Sequence, residues 1–152
     1  MSTFVKGGGT NTTPFGRNEY LRSTNPKPQT ESYTLAASTV PAKTIDGVTG
    51  QKILQPGTVL AKITSGADIG KVGPFQAGVV DGRQTLANIV GLNDTFLPWQ
   101  LMERDVEVAA VYDCTAVQAW CIELDAGGAS IALTNTTADA MRSTKGLDIK
   151  FH

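Results

Sequence analysis

The stretch that decides the fold runs from residue 51 to residue 64 and has the sequence QKILQPGTVLAKIT. Gln55-Pro56-Gly57 has the composition of a tight turn, because proline presets φ and glycine accepts a positive φ. The run from Thr58 to Thr64 is rich in β-branched residues, which predicts a strand. Alternate side chains of that strand share one face: Val59, Ala61 and Ile63. We expect the first hairpin of a small β domain, preceded by an arm and followed by further strands.

The composition bounds the class of protein. A chain of 152 residues and 16.0 kDa fits one domain, or one domain plus a tail. Only 18% of the residues are charged, and the chain contains 16 glycine residues. This composition favours a β-rich, association-prone protein over a helical bundle. The net charge of −1 does not favour a nucleic-acid partner. No apolar run approaches the length of a membrane span, and the first residues lack the apolar core of a signal peptide.

Residues 1–34 are predicted to form an extended N-terminal arm, and residues 35–152 a β-rich domain. Gly7-Gly8-Gly9 is a flexible joint, and Pro14, Pro26 and Pro28 interrupt regular structure. The arm nevertheless carries spaced apolar side chains: Phe4, Val5, Phe15, Tyr20 and Leu21. A pure spacer needs none of these, so our hypothesis is an arm that becomes ordered on a partner. The alternative is a terminus that packs on its own domain.

Turn signals recur at intervals of about 8–12 residues, which is typical of a sandwich or a barrel. The clearest strand is Arg104 to Cys114, RDVEVAAVYDC, whose even positions from Val106 onward are apolar while Asp105, Glu107 and Asp113 are acidic. In the predicted strand TLANIVGL, residues 85–92, the small Ala87 and Gly91 indicate close approach of another backbone.

The last third of the chain carries three further signals. Val117 to Leu124, VQAWCIEL, is apolar on both faces, which predicts a buried strand or a short buried helix. Residues 134–137 offer N-caps to a short helix over residues 138–142, and Leu147 to Phe151 alternates apolar and charged residues as a closing strand.

The most apolar loop-like stretch is FLPWQLM, residues 96–102. Pro98 argues against an interior strand. Either these side chains line the core, or they form an exposed contact in which Trp99 takes part.

The sequence offers little reactive chemistry. The single histidine, His152, is the last residue, and no phosphate-binding glycine loop is present. Glu103, Asp105 and Glu107 either chelate a hard cation or form a solvated polar face, and the second is the ordinary outcome. Cys114 and Cys121 are expected to be free, buried thiols. We therefore expect no catalytic residue, no cofactor and no metal, and the protein is not expected to be an enzyme.

From Ile53 to the C-terminus, this arrangement resembles the lambda-like head decoration proteins of tailed phages. The resemblance rests on PGTVLAKIT, on the turn Asp81 to Thr85 leading into LANIVGL, on DVEVAAV, and on the late ADAMRST and LDIKF. It implies a mainly β, barrel-like domain of the β-tulip type with one short C-terminal helix. It also implies a homotrimer on the outer surface of an expanded capsid, made in the host cytoplasm, whose arm binds the major capsid protein and links neighbouring capsomers.

Three other classes of protein remain open, and one of them is a small hydrolase. A tail or fibre β module would bind carbohydrate by stacking sugar on Trp99, Trp120 or Tyr112. A lipoyl-type carrier domain would need a lysine at a protruding hairpin tip, a setting that Lys52 and Lys71 lack.

Overall fold

The computed structural model describes residues 20–23, 27–98, 101 and 104–152. These residues form eleven strands, one α-helix and three short 3-10 turns. The strands are β1 (Leu21–Ser23), β2 (Gln29–Leu35), β3 (Lys43–Ile45), β4 (Val48–Gln51), β5 (Val59–Lys62), β6 (Val72–Pro74), β7 (Ile89–Asn93), β8 (Val106–Ala116), β9 (Ile122–Leu124), β10 (Ser130–Ala132) and β11 (Asp148–Phe151). The helix α1 is Asn135–Ser143, and the 3-10 turns are Ala37–Thr39, Leu86–Asn88 and Gln118–Trp120.

Five strands close into a ring. Antiparallel pairings join β2 to β8, β8 to β7, β7 to β5 and β5 to β6, and a parallel bridge between Leu35 and Val72 joins β2 to β6. The far end of β8 also pairs with β1 and, in parallel, with β11. A closed ring satisfies the backbone groups that an open sheet would leave at its edges. The predicted mainly β, barrel-like fold with one short C-terminal helix is thus confirmed.

Two apolar cores lie on opposite faces of the ring. The interior core draws on all five ring strands and includes Leu35, Leu60, Val72, Val90, Val108 and Ala110. The outer core packs α1 and β11 against β5, β7 and β8, and includes Tyr20, Val59, Leu92, Cys114, Met141 and Phe151. Each fully buried aliphatic side chain of this size contributes about 1.5–3 kcal/mol. A central strand such as β5 therefore needs apolar residues on both faces.

The structure of residues 51–64 agrees in part with the prediction. The turn is present, because the Thr58 hydroxyl donates to the Gln55 carbonyl at 2.8 Å and Gly57 has a φ of +86°. The predicted alternation of side chains between the two faces of β5 is also confirmed, since Val59 lies in the outer core and Leu60 in the interior core.

The expected first hairpin is wrong. Leu54 does not pair with β5 but exchanges two backbone hydrogen bonds with Leu97, at 3.0 and 3.1 Å. The neighbours of β5 are β6 and β7. A turn signal specifies a local change of direction. The strands that pair with β5 are instead determined by the burial of apolar side chains on both of its faces, which involves residues far apart in sequence.

A bulge divides β8 into two parts. Along β2 the pairing passes from Thr30–Val111 to Gln29–Asp113, so Tyr112 is the extra residue. Such a bulge changes which side chains face each side of the sheet. Ala110 lies in the interior core, whereas Val111 and Cys114 lie in the outer core. The predicted single apolar face is therefore wrong beyond Ala110, and Tyr112 is only half-buried.

The boundary expected between arm and domain needs correction. β2 pairs with β8 along its whole length, from Gln29 to Leu35, and β1 pairs with the end of the same strand. Residues 20–23 and 29–34 therefore belong to the β body, because these pairings supply one side of the longest strand. The arm prediction can apply only to residues 1–19, which lie outside the described residues.

Several smaller predictions have clear outcomes. Cys114 and Cys121 are free and buried, as expected. Gly91 is a point of close approach, since a Cβ there would lie 2.3 Å from the Val111 carbonyl oxygen. Ala87 is exposed in a 3-10 turn, so that part of the prediction is wrong.

The C-terminal elements also follow the sequence signals. Helix α1 is capped by Thr134, and the closing strand is β11. The VQAWCIEL stretch becomes a 3-10 turn followed by β9, in which Cys121 and Leu124 are buried while Trp120 is 59% exposed. FLPWQLM lines the core through Leu97 and Leu101, both in the interior core.

Candidate binding surfaces

The residues predicted to contact a partner are only partly placed. Phe4, Val5, Phe15 and Trp99 lie outside the described residues. Tyr20 lies in the outer core with 2% of its surface exposed, and Leu21 is half-buried against that core. In this folded state Tyr20 is a core residue and not an exposed anchor.

The position of Tyr20 depends on the turn at Gly57. A Cβ on Gly57 would lie 2.8 Å from the Cβ of Tyr20, so only glycine leaves room for the ring. The Tyr20 hydroxyl donates to Asp94 Oδ1 at 2.7 Å. Burial, and then this hydrogen bond, raise the pKa of Tyr20 far above its ordinary value. The hydroxyl therefore stays protonated, and its hydrogen bond to Asp94 holds the start of β1 against the barrel.

Two neighbouring loops present the most exposed large aliphatic side chains among the described residues. Val80 is 89% exposed and Ile69 is 63% exposed. Their loops, residues 64–70 and 79–82, are joined because the Thr64 N–H donates to the Asp81 carbonyl at 2.8 Å. A Cβ on Gly82 would lie 2.2 Å from Thr64 Oγ1, so the loops pack closely. We call residues 64–70 and 79–82 the loop-tip surface.

An ion-pair cluster fixes the base of the loop-tip surface. Lys71 Nζ lies 2.8 Å from Asp68 Oδ1 and 2.6 Å from Asp105 Oδ2. The Ser38 hydroxyl and the Ala37 N–H donate to Asp68 and Asp105, each at 2.8 Å. The hydrogen bond that Lys71 donates to Asp105, followed by the one that it donates to Asp68, raises the pKa of Lys71. Asp105 is thus neutralised by a lysine and is not set up to ligate a cation.

The described residues contain no group of three side chains suited to a metal ion. Their buried charged groups have structural partners. Arg83 Nε lies 2.9 Å from Asp81 Oδ2, and Arg83 Nη1 donates to the Pro74 carbonyl at 3.0 Å. Glu123 accepts from the N–H of Thr134 at 3.0 Å, at the start of α1. Carboxylates at helix N-termini are stabilising, so this contact supports the helix.

The two thiols are not activated. Burial is the main cause that raises the pKa of Cys114 and of Cys121 to about 12. The thiolate is the reactive form of cysteine, and little of it exists at neutral pH with such a pKa. Both side chains fill the outer core.

Two of the cavities lined by described residues open on the barrel. The first, of about 240 Å³, lies between the β3–β4 hairpin and the barrel and is mostly apolar, with Lys43, which donates to Ser130, at its rim. The second, of about 300 Å³, we call the barrel-mouth pocket. Its walls are Glu31, Tyr33, Lys62, Ala87, Asn88, Ile89, Val90, Tyr112, Thr144, Lys145, Gly146 and Leu147.

No protein-family model, curated protein or solved structure matches this chain. No helix within the described residues is long and apolar enough to cross a membrane. The surfaces themselves are therefore the basis for inferring function.

Sequence reasoning missed the loop-tip surface and the barrel-mouth pocket. Val80 follows another valine and Ile69 is an isolated apolar residue, and their side-chain type does not distinguish them from core residues. The one available signal was their position next to Asp81-Gly82 and Gly70, since residues at turns are usually exposed. The pocket gathers residues from distant strands, so no local pattern marks it.

Proposed function

We propose that this chain is a structural virion protein that binds the outer surface of an expanded phage capsid as a homotrimer and links neighbouring capsomers. Its partners are the major capsid protein and other copies of itself. It has no enzymatic role and reaches the virion after synthesis in the host cytoplasm. Residues 1–19, with Phe4, Val5 and Phe15, act as the capsid-binding arm. The sequence resemblance to head decoration proteins and the β-rich body with one late helix support this proposal.

The observation that carries the proposal is the loop-tip surface. Val80 is almost fully exposed, on a loop that is hydrogen-bonded to its neighbour and packed closely against it. Exposed aliphatic side chains on a loop that is already ordered lose little conformational entropy when they are buried by a partner. A protein that works by adhesion benefits from such contacts.

The homotrimer supplies the strength that single contacts lack. Once one subunit is bound, the other two bind at a high effective concentration. Contacts of standard size, about 1,600 Å² in total, then hold capsomers together without chemistry. Specificity for the expanded shell follows from the shape of a site that forms only on expansion.

The test is co-sedimentation of the purified protein with expanded capsids and with unexpanded procapsids of its phage, together with sedimentation velocity of the free protein. We expect a trimer that binds expanded shells only. Deletion of residues 1–19 removes none of the described β body and is expected to abolish capsid binding. Val80→Asp is expected to weaken binding at least tenfold, whereas Val48→Asp, at a 54% exposed site on the β3–β4 hairpin, serves as the matched control. Full capsid binding by the truncated protein would contradict the role of the arm.

A carbohydrate-binding tail or fibre module is the second candidate. Trp120 is 59% exposed, and an exposed indole is a suitable surface for stacking on sugar. A carrier domain is disfavoured, because Lys71 is held by two aspartates and Lys52 Nζ donates to the Ala37 carbonyl at 2.9 Å. The turn of the β3–β4 hairpin, Asp46-Gly47, contains no lysine.

A further inference from the structure

The barrel-mouth pocket lies where the interior of the ring changes from apolar to polar. Glu31 and Tyr33 share a face of β2 with Leu35, which lies in the interior core. Lys62 shares a face of β5 with Leu60, another interior residue. These inward-facing polar residues line the pocket and are not needed to fill the core. Barrel mouths are a common position for ligand sites.

The two lysines that line this pocket are solvent-exposed. Lys62 and Lys145 form no salt bridge within the described part of the chain, whose pairs involve other lysines and arginines. The Tyr33 hydroxyl donates to Glu31 Oε2 at 3.2 Å in an exposed bond. With two lysines and one glutamate, the pocket has a formal charge of +1, in a chain whose net charge is −1.

The arrangement of charges restricts the ligand. Two ammonium groups favour a carboxylate, while Glu31, an exposed acceptor in the same pocket, favours a ligand that also carries hydrogen-bond donors. The rings of Tyr33 and Tyr112 provide apolar surface for a flat C–H face. A sulfate ion or an acidic amino-acid side chain offers no hydroxyl to Glu31 and would be repelled by it. An acidic sugar supplies a carboxylate, several hydroxyls and an apolar face on one ring.

We propose that the barrel-mouth pocket binds one acidic sugar unit of the uronic-acid type. Lys62 and Lys145 hold the carboxylate, Glu31 accepts from ring hydroxyls, and the tyrosine rings contact the sugar face. A cavity of about 300 Å³ is at the lower end of the range for small-molecule sites and accommodates a single unit. This proposal does not depend on capsid binding, because it concerns a different surface from the loop tips.

The test is an NMR titration of the ¹⁵N-labelled full chain with D-glucuronate. We expect saturable shifts confined to amides of the pocket, with a Kd on the order of 1 mM, as is usual for a small ligand with few contacts. D-glucose, which lacks the carboxylate, is expected to bind at least fivefold more weakly. Glutarate, a carboxylate without ring hydroxyls, is expected to cause no saturable shift.

Matched lysine variants complete the test. Lys62→Gln is expected to weaken D-glucuronate binding at least fivefold while leaving the spectrum folded. Lys27→Gln removes the same charge from an exposed site outside the pocket and is expected to have no effect. The proposal is overturned if D-glucuronate causes no saturable shift, if glutarate binds as well as the sugar, or if the two variants respond alike.

Discussion

Removing one hydroxyl from Tyr20 is expected to destabilise the whole β body. Tyr20→Phe keeps the ring in the outer core and deletes the donor to Asp94 Oδ1, which lies 2.7 Å away. A hydrogen bond to a charged group is worth about 1.5–3 kcal/mol. Asp94 is only half-buried, so water can partly replace the donor, and we expect a loss of about 1–2 kcal/mol in the free energy of unfolding.

The assay is urea unfolding followed by far-UV circular dichroism. With a slope of about 2 kcal/mol per molar urea, the midpoint should fall by roughly 0.5–1 M. Tyr33→Phe is the matched control, because its hydroxyl bond to Glu31 is exposed and its loss should change stability by less than about 0.5 kcal/mol. Tyr20→Ala, which also removes the ring, is expected to cost about 3–5 kcal/mol.

A double-mutant cycle isolates the contact. Asp94→Asn and Tyr20→Phe should each destabilise the protein, and the double variant should lose less than the sum of the two. An unchanged midpoint for Tyr20→Phe, together with weaker capsid binding, would refute this reasoning. That result would restore Tyr20 as a partner contact instead of a core residue.

Three further changes test the packing. Gly91→Ala is expected to lower the free energy of unfolding, measured by chemical denaturation, by more than about 3 kcal/mol, since its φ is +149° and its Cβ would lie 2.3 Å from backbone. The control Gly50→Ala, in open space at a φ of +78°, should lower it by about 1 kcal/mol. Thr134→Ala should lose about 1 kcal/mol of thermal stability by removing the N-cap of α1, and Thr134→Ser should restore most of it. The folded-state pKa of about 12 for Cys114 and Cys121 lies above the ordinary value of 9.0. Their contribution to the free energy of unfolding is therefore complete below pH 9 and is lost as the pH rises toward 12. The loss reaches up to ~1.4 kcal/mol per pH unit for each thiol. Denaturation midpoints measured from pH 8 to pH 11 should therefore fall, and Cys121→Ala should make the fall shallower; a flat profile for the unaltered chain would exclude this linkage.

Local chemistry predicted the elements that depend on neighbours in sequence. The turn at Gln55-Pro56-Gly57, the alternation of β5 and the cap of α1 each follow from the conformational preferences of a few adjacent residues. Free buried thiols at Cys114 and Cys121 follow from residue count and spacing.

Which strands pair with one another could not be predicted in this way. The pairing of Leu54 with Leu97 and the place of β2 beside β8 depend on which apolar faces can be buried together across long separations in sequence. The bulge at Tyr112 reverses the faces of β8, and no composition signal marks it. The same limit explains why Tyr20 was interpreted as part of an arm.

By itself, the sequence determined a β-rich chain of low charge, its turns, its one late helix and two free cysteines, because these are set by local backbone preference and side-chain type. Only the tertiary structure decided that the ring closes, that Tyr20 is buried beside Gly57 and Asp94, and that Glu31, Tyr33 and Lys62 meet at one mouth of the barrel. Those features arise from residues brought together by ring closure. Burial of apolar side chains on both faces of β5 favours the closed ring, which brings these residues together.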